Sequence, residues 1–202
     1  MMFDIRNYWP NTPANEQLLV EFSAVPPSGL LKTLLKRYKQ GGTIRGIPVM
    51  VLDEYVPGVG WVDAWKYRPD ARGILEVATH QPGSFKLYAV GKEIIWGGIQ
   101  NVGDVIGGQI GIEPLNGWWC WGWQTIQFQA FLPSFTNAGG MSFSNVVRLH
   151  FLQYWCANNV CSVTNVTGAS YWMAPGLGAI QIQYDTSPIP HYANQIVTTV
   201  AM

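Results

Sequence analysis

Charged residues are scarce in this sequence, and their scarcity is uneven. Asp, Glu, Lys and Arg make up 12% of the 202 residues, against roughly 25% in an average globular protein. The twelve basic and twelve acidic residues cancel to a formal net charge of zero, so the chain lacks the positive field that binds nucleic acid. Between positions 114 and 202 the sequence carries only two formal charges, Arg148 and Asp185. With so few charged residues, copies of the chain repel each other only weakly, so self-association is poorly opposed. We therefore expect protein partners in a homo- or hetero-oligomer.

Long apolar segments are also missing. No run of eighteen apolar residues occurs, so the sequence predicts no transmembrane helix. The opening "MMFDIRNYWPNTPANEQ" has no basic region followed by an apolar stretch, and no signal peptide is visible. The lack of a visible signal peptide and of a transmembrane helix favours location in an assembled particle. A periplasmic or extracellular location is the alternative if a leader was removed.

Motifs of catalysis and metal binding are absent from the sequence. It contains no GxSxG, HExxH or SxxK pattern, and no CxxC pair that would indicate zinc. The glycine-rich "GGIQNVGDVIGG" lacks the lysine and hydroxyl residue of a phosphate-binding loop. The adjacent Asp53 and Glu54 would point to opposite faces of a strand, so they cannot act as a facing carboxylate pair. The sequence therefore predicts no enzyme, no metal site and no cofactor.

Short alternating segments separated by Gly, Pro and Asn dominate the chain. Alternation of apolar and polar residues with period two is typical of β-strands with one buried face. The turns between them include "QPGS", "TNAGGMS" and "APGLG". The predicted strands cover 18–22, 47–55, 60–67, 73–80, 84–90, 93–100, 118–131, 145–155 and 178–184.

One short helix is predicted over 28–40. Ser28 can act as its N-cap, Leu at 30, 31, 34 and 35 follows helical spacing, and Gly41 can end it. A basic edge strand is the alternative for this segment. The predicted fold class is thus mainly β, an antiparallel sheet or β-sandwich-like arrangement with one short helix. We expect one β-rich domain over 1–185, with a division into two β-meanders near 101–116 as an option, and a last strand or an arm over 186–202.

The segment "NGWWCWGW" at 116–123 places four of the ten Trp within six residues. The alternation in the following "QTIQFQA" indicates which way they face, because Ile126 and Phe128 are apolar while Gln127 and Gln129 are polar. Extended back through Gly122 without a bulge, this pattern predicts that Trp118 and Cys120 face the core and that Trp119, Trp121 and Trp123 face outward.

Two later strands have outer faces of the same character. The core side holds Val147, Leu149 and Phe151 in one strand, and Ile180, Ile182 and Tyr184 in the other. If these strands are neighbours of the Trp strand, one face combines indole rings, neutral amides, an Arg and a His. The predicted partner- or ligand-binding residues are Trp119, Trp121, Trp123, Gln127, Gln129, Arg148, His150, Gln181 and Gln183.

Three explanations of this face stay open at the level of the sequence. The Trp side chains can pack within a two-layer core, in which case a bulge at Gly122 changes the register. They can form an interface with another protein, because such interfaces are enriched in Trp and Arg and depleted of charge. They can also stack on the rings of a neutral glycan whose hydroxyl groups bind the amides.

Three cysteines are present. Cys156 and Cys161 flank the turn-like "ANNV" and can form a disulfide in an oxidising compartment, or remain as two thiols at strand ends. Cys120 has no evident partner in the sequence and is expected in the core.

The segment "YWMAPGLGAIQIQY" at 171–184 resembles the closing hairpin of bacterial extracytoplasmic, lipoprotein-like β domains. In that group an aromatic pair leads into a Pro-Gly-aliphatic-Gly turn and a final strand. The segment "RNYWPNTPANEQLLVEF" at 6–22 is loosely similar to the opening strand of the same group. The resemblance implies an antiparallel β domain without catalytic residues, so no site residue is carried over from it.

The sequence as a whole favours a protein that acts by recognition or assembly. The first hypothesis is a structural subunit of a larger particle, such as a virion or a phage-tail-like assembly, with the Trp-rich face as its interface. The alternative is an exported glycan- or lipid-binding β domain.

Overall fold

A computed structural model describes residues 1–10, 17–22, 30–81, 84–113, 120–157, 160–185 and 194–200. Side chains are described for 1–10, 35–55, 57–78, 86–113, 122–154 and 167–185. The statements below concern these residues.

The described chain is almost entirely β-strand, and nearly all strands pair with their neighbours in sequence. The strands are β1 (Met2–Asp4), β2 (Gln17–Phe22), β3 (Leu30–Ile44), β4 (Ile47–Val56), β5 (Gly60–Asp70), β6 (Gly73–Gln81), β7 (Ser84–Leu87), β8 (Ile94–Gly97), β9 (Ile99–Asn101), β10 (Val105–Ile112), β11 (Cys120–Thr136), β12 (Ser142–Ala157), β13 (Val160–Ala174), β14 (Gly178–Tyr184) and β15 (Asn194–Val200).

The main sheet is antiparallel and has thirteen strands. Its order is β10-β11-β12-β13-β14-β15-β2-β3-β4-β5-β6-β7, with β8 added beside β6, while β1 and β9 form a separate pair. The chain therefore makes two meanders, β2–β7 and β10–β15, and β15 pairs with β2 to join them in one sheet. Within the tail, β15 lies between β14 and β2.

The two ends of this strand order also meet. Tyr88, just after β7, forms a bridge with Ile112 of β10. On either side of it, Ala89 N donates to Gly111 O at 2.8 Å and Glu113 N donates to Leu87 O at 2.7 Å. The sheet thus closes on itself, which gives it an inner and an outer face.

The inner face holds the main hydrophobic core, which is rich in aromatic residues. Trp96 lies near its centre, stacked on Phe151 with 5.1 Å between ring centroids and in edge contact with Tyr171. Ile126 and Phe128 of β11 point into the same core, as the alternation predicted. A smaller cluster around Val146, Trp172 and Ile180 packs beside the β11–β12 hairpin.

The N-terminal segment packs into this interior. A 3-10 helix at Ile5–Tyr8 follows β1, and the Asp4 side chain caps it by accepting a hydrogen bond from Arg6 N. Trp9 then packs against Tyr67 and Trp96, with centroid distances of 4.8 and 5.3 Å. Burial of these rings anchors the segment to the core.

The prediction of a mainly antiparallel β fold is confirmed, but the predicted helix over 28–40 is wrong. Residues 30–44 form β3, an inner strand between β2 and β4, so it is also not the edge strand considered as the alternative. The cause is tertiary: Tyr38 is buried in the core, while Arg37 and Lys39 on the opposite face pair with acidic residues of β4 and β5. These contacts outweigh the helical spacing of the leucines. Among the described residues, no helix is long and apolar enough to cross a membrane.

Candidate functional site

The outer face of β10–β14 is the surface on which the sequence placed the site, and β11 keeps its register there. Gly122 pairs with Ile110 on one side and Trp155 on the other, without a bulge. The first irregularity of β11 in this pairing comes later, between Phe128 and Ala130. Burial alternates accordingly, so that Gly122 is buried and Trp123, with 41% of its surface exposed, faces outward.

The polar residues of β11 follow the same alternation of inward and outward positions. Gln127 is exposed on the outer face, and Gln129 is exposed at the bulge. Gln124 points inward and is buried, and its amide donates to Ile95 O at 3.0 Å. Of the other Trp at this site, Trp119 lies outside the described residues, and the side chain of Trp121 lies outside the described side chains.

The predictions for the cysteines also concern side chains outside the described ones. The backbone of Cys156 pairs with Trp121 and Val163. The side chains of Cys120, Cys156 and Cys161, and all of Trp118, are outside what the structure describes, so the disulfide stays a prediction.

One row of the outer face brings several predicted residues together. His150 of β12 pairs with Gln127 of β11 and with Ser170 of β13, and Ser170 pairs in turn with Gln183 of β14. Strand β13 therefore lies between the strands that carry His150 and Gln183. Side chains in such a row lie about 5 Å from their neighbours.

His150 is held by a carboxylate that the sequence reading did not select. Its Nε2 donates to Oδ2 of Asp185 at 2.8 Å. The carboxylate reaches across β13 over Gly168, where a Cβ atom would lie 2.1 Å from Oδ2. A glycine at 168 thus leaves the room in which the His150–Asp185 contact forms.

Arg148 lies one row away, with its guanidinium over the ring of Trp172 at 5.0 Å. Trp172 is itself stacked on Phe135, with 14° between the ring planes. Nε of Arg148 is buried and has no hydrogen-bond partner among the described residues. Within the described part of the chain, Arg148 is therefore held by its contact with the Trp172 ring and by no acidic neighbour.

Gln181 is the predicted site residue whose availability the structure contradicts. It is buried, and its Oε1 accepts a hydrogen bond from Ala138 N at 2.9 Å. The tip of the β11–β12 hairpin covers it, with Asn137 donating to Ile180 O nearby. Ile180, predicted in the main core, packs in the smaller cluster instead, because a register shift between Trp172 and Met173 changes the alternation of β14.

The interior contains polar groups that sequence reasoning missed. Glu76 is buried beside Trp96 and Tyr88, which donate to its two carboxylate oxygens at 3.3 Å each. Burial raises the pKa of Glu76 to about 7, against the lowering effect of these two hydrogen bonds. The sequence did contain a signal for this burial. In "GILEVA" apolar residues occupy both alternating sets of strand positions, so both faces of β6 are buried and neither exposes Glu76 to solvent.

A small cavity also lies inside the closed sheet. Its volume is about 20 Å³, which is room for about one water molecule. Trp9 lines it, and the buried indole Nε1 of Trp9 has no acceptor among the described residues. Lys36 lies at the same cavity, 3% exposed, with its ammonium 3.1 Å from Glu54. The cavity is too small for an organic ligand without movement of these rings.

A cluster of charged side chains lies on the outer face of the sheet, on strands β3, β4 and β5. Asp53 is fully buried, and its Oδ2 is 2.9 Å from Nζ of Lys39 and 3.1 Å from Nε of Arg37. Lys39 also contacts Asp63 at 3.1 Å. Despite partial burial, hydrogen bonds from Lys39 and other neighbours hold the pKa of Asp63 below its usual range. Within the described part of the chain, no group of three His, Cys, Asp or Glu is arranged to hold a metal ion.

Comparison with known proteins gives two structural likenesses. The chain matches no protein-family model and no curated protein sequence. One solved structure, a "putative lipoprotein" from Parabacteroides distasonis ATCC 8503, has 12% identity and a TM-score of 0.41, covering 98% of this chain and 100% of its own. A second, a "putative exported protein with YmcC-like fold" from Bacteroides fragilis NCTC 9343, has the same identity and TM-score, covering 96% and 98%.

Proposed function

We propose that this protein acts by recognition, without catalysis, as a subunit of a larger assembly. The proposed interface is the outer face of β10–β14 together with an apolar end patch, defined as Met1, Met2, Ile99, Val102 and Val105. The observation that carries the proposal is the continuity of these two surfaces. Val105, 58% exposed, pairs with Gln127 of the outer face, which joins the patch to the row that contains His150.

The end patch is held together by backbone contacts. Met2 pairs with Asn101, and Val102 N donates to Met1 O. Each of the five apolar side chains is 40% exposed or more, and a group of large exposed apolar side chains in one region is typical of a protein-binding surface.

The closure of the sheet favours side-chain contacts with the partner. A partner that adds a strand needs an open sheet edge. The ends of the main strand order are hydrogen bonded to each other, and β15 pairs within its own sheet. An exposed face with apolar and amide side chains is therefore the proposed route to a specific contact.

The test is the molar mass of the full chain in solution, measured by light scattering over a range of concentrations. We expect association that Val105→Gln weakens, because this change puts an amide into the apolar part of the interface. Val59→Gln is the matched control: Val59 is 73% exposed in the β4–β5 turn, away from the proposed interface. A monomer at every concentration contradicts the proposal.

A neutral glycan is a second candidate ligand for the same face, favoured by the surroundings of Trp123. This exposed indole pairs across the sheet with Gln109 and Tyr154. Rings and amides in one row suit the apolar face and the hydroxyl groups of a sugar. We expect oligosaccharide binding to change the Trp fluorescence of the native chain and not that of Trp123→Phe. Equal responses from both chains, or none from either, contradict this candidate.

A further inference from the structure

The two formal charges of the second half of the chain lie on the same outer face. Arg148 is on β12, and Asp185 directly follows β14. The surface around them is formed by neutral residues, since positions 114–202 carry no other Asp, Glu, Lys or Arg. Arg148 and Asp185 are thus the only Asp, Glu, Lys or Arg residues on these strands, and His150, which contacts Asp185, is the titratable side chain between them.

Their arrangement has a simple geometry. Arg148 pairs with Trp172 of β13. Asp185 N donates a hydrogen bond to Gly168 O, and Gly168 lies four residues before Trp172 on the same strand. Ser170 lies midway between these two β13 positions. The backbone positions of Arg148 and Asp185 therefore lie at opposite corners of a rectangle of sheet centred on Ser170, about 13 Å along the strands and about 10 Å across them.

Neither charge is neutralised by the other within one chain. Among the described residues, the side chain of Arg148 contacts the ring of Trp172 and no acidic group. The side chain of Asp185 is 48% exposed, and its contact in the described structure is with Nε2 of His150 through one oxygen. The carboxylate keeps a second oxygen that can accept a hydrogen bond.

We propose that a second copy of this chain binds face to face, with Arg148 of one subunit paired to Asp185 of the partner subunit, and the reciprocal pair formed at the same time. The proposal rests on the proposed assembly function and identifies the partner. A two-fold axis lying in the interface, crossing at Ser170 and perpendicular to the Arg148–Asp185 diagonal, brings both pairs together. Such self-complementarity is the general property of a two-fold interface.

At the centre of the rectangle, Ser170 is small and buried, so its side chain does not project toward a partner. The room over Gly168 holds the Asp185 carboxylate itself. The zero net charge of the chain means that two copies do not repel each other at long range. Arginine also suits this role, because its terminal N–H groups form charge-assisted hydrogen bonds to a carboxylate oxygen.

The experiment is a charge exchange in the chain of 202 residues, followed by sedimentation or light scattering. Arg148→Glu places two acidic residues opposite each other in the homodimer, and Asp185→Arg places two arginines there. We expect each variant alone to dimerise at least about tenfold more weakly than the native chain. In an equimolar mixture both pairs are complementary again, so a heterodimer should form with an affinity close to that of the native dimer.

Two further variants serve as controls. Arg148→Gln removes the charge without introducing repulsion, and its circular dichroism reports whether the Trp172 contact is needed for folding. Arg68→Glu on β5 is a charge reversal away from the face and should leave dimerisation unchanged. If the native chain associates but mixing restores nothing, the crossed pair is wrong while the assembly function stands. If the native chain does not associate, the assembly function itself is wrong, and the crossed pair with it.

Discussion

The indole nitrogen of Trp96 donates a hydrogen bond to Oε2 of Glu76 at 3.3 Å inside the closed sheet. The hydroxyl of Tyr88 donates to the other oxygen of the same carboxyl group. Two donors do not compensate for the removal of this carboxylate from water, which is why its pKa rises to about 7. An acidic group with a pKa in the physiological range is thus part of the packing of the core.

This relationship predicts a stability that depends on pH. Because the pKa of Glu76 is higher in the folded chain than in the unfolded chain, its contribution is fully present below about pH 4.5 and is lost as pH rises through about 7. The total loss is about 3 kcal/mol by the conversion from pKa shift to free energy. Glu76→Gln should remove this loss. Urea unfolding of both chains from pH 4.5 to 8.5 measures it, and parallel curves would mean that Glu76 is not the group concerned.

Gly73 should tolerate no side chain. Its φ is +130°, and a Cβ atom there would lie 1.7 Å from the carbonyl oxygen of Gly97 on the adjacent β8. Gly73→Ala should therefore destabilise the fold by about 3 kcal/mol or more, because the backbone of two strands must shift. Gly108→Ala is the control, since no atom lies within 4 Å of a Cβ at that position. Similar thermal midpoints for the two variants would contradict the prediction.

Asp53 should contribute more to stability than Asp63. Both carboxylates contact Lys39, but Asp53 is fully buried whereas the side chain of Asp63 is partly exposed. Asp53→Asn leaves Arg37 and Lys39 without their buried counter-charge and should cost about 3 kcal/mol. Asp63→Asn should cost at most about 1 kcal/mol, as for exposed ion pairs. Denaturant midpoints at neutral pH decide the order, and equal costs would contradict it.

Trp9 should stabilise the fold through its ring and not through its N–H group. Its Nε1 is buried without an acceptor among the described residues, while the ring contacts Tyr67 and Trp96. Trp9→Ala should cost about 3 to 5 kcal/mol. Trp9→Phe retains an aromatic ring, removes the unpaired donor, and should cost less than half as much. An equal loss in both variants would indicate that the N–H group has a partner that matters.

Local alternation predicted the outer face of β11 correctly, and the reason is geometric. Successive residues of a strand alternate between faces, so the polar Gln127 was enough to orient Trp123 four residues earlier. The same alternation does not hold at Ile180, because a register shift in β14 breaks it. Such irregularities arise from the pairing of two strands and leave no clear mark in either strand alone.

The turn chemistry was equally local. The Pro-Gly-aliphatic-Gly segments at 57–60 and 175–178 both connect antiparallel strands, with Gly58 and Gly176 at positive φ. By contrast, the helical spacing of leucines at 30–35 belongs to a strand. Its two neighbours, β2 and β4, provide the pairing that decides its conformation.

The sequence by itself determined the β class, the charge-poor second half and the direction of Trp123, because these depend on residue type and on the two-residue period of a strand. Only the tertiary structure decided that Glu76 lies in the core, that Gln181 is covered by the β11–β12 hairpin, and that Asp185 contacts His150. Each of these depends on chain segments that are distant in sequence. The pairing of β12, β13 and β14 brings Asp185 to His150 and Gln181 to the hairpin, and the closure of the sheet encloses Glu76.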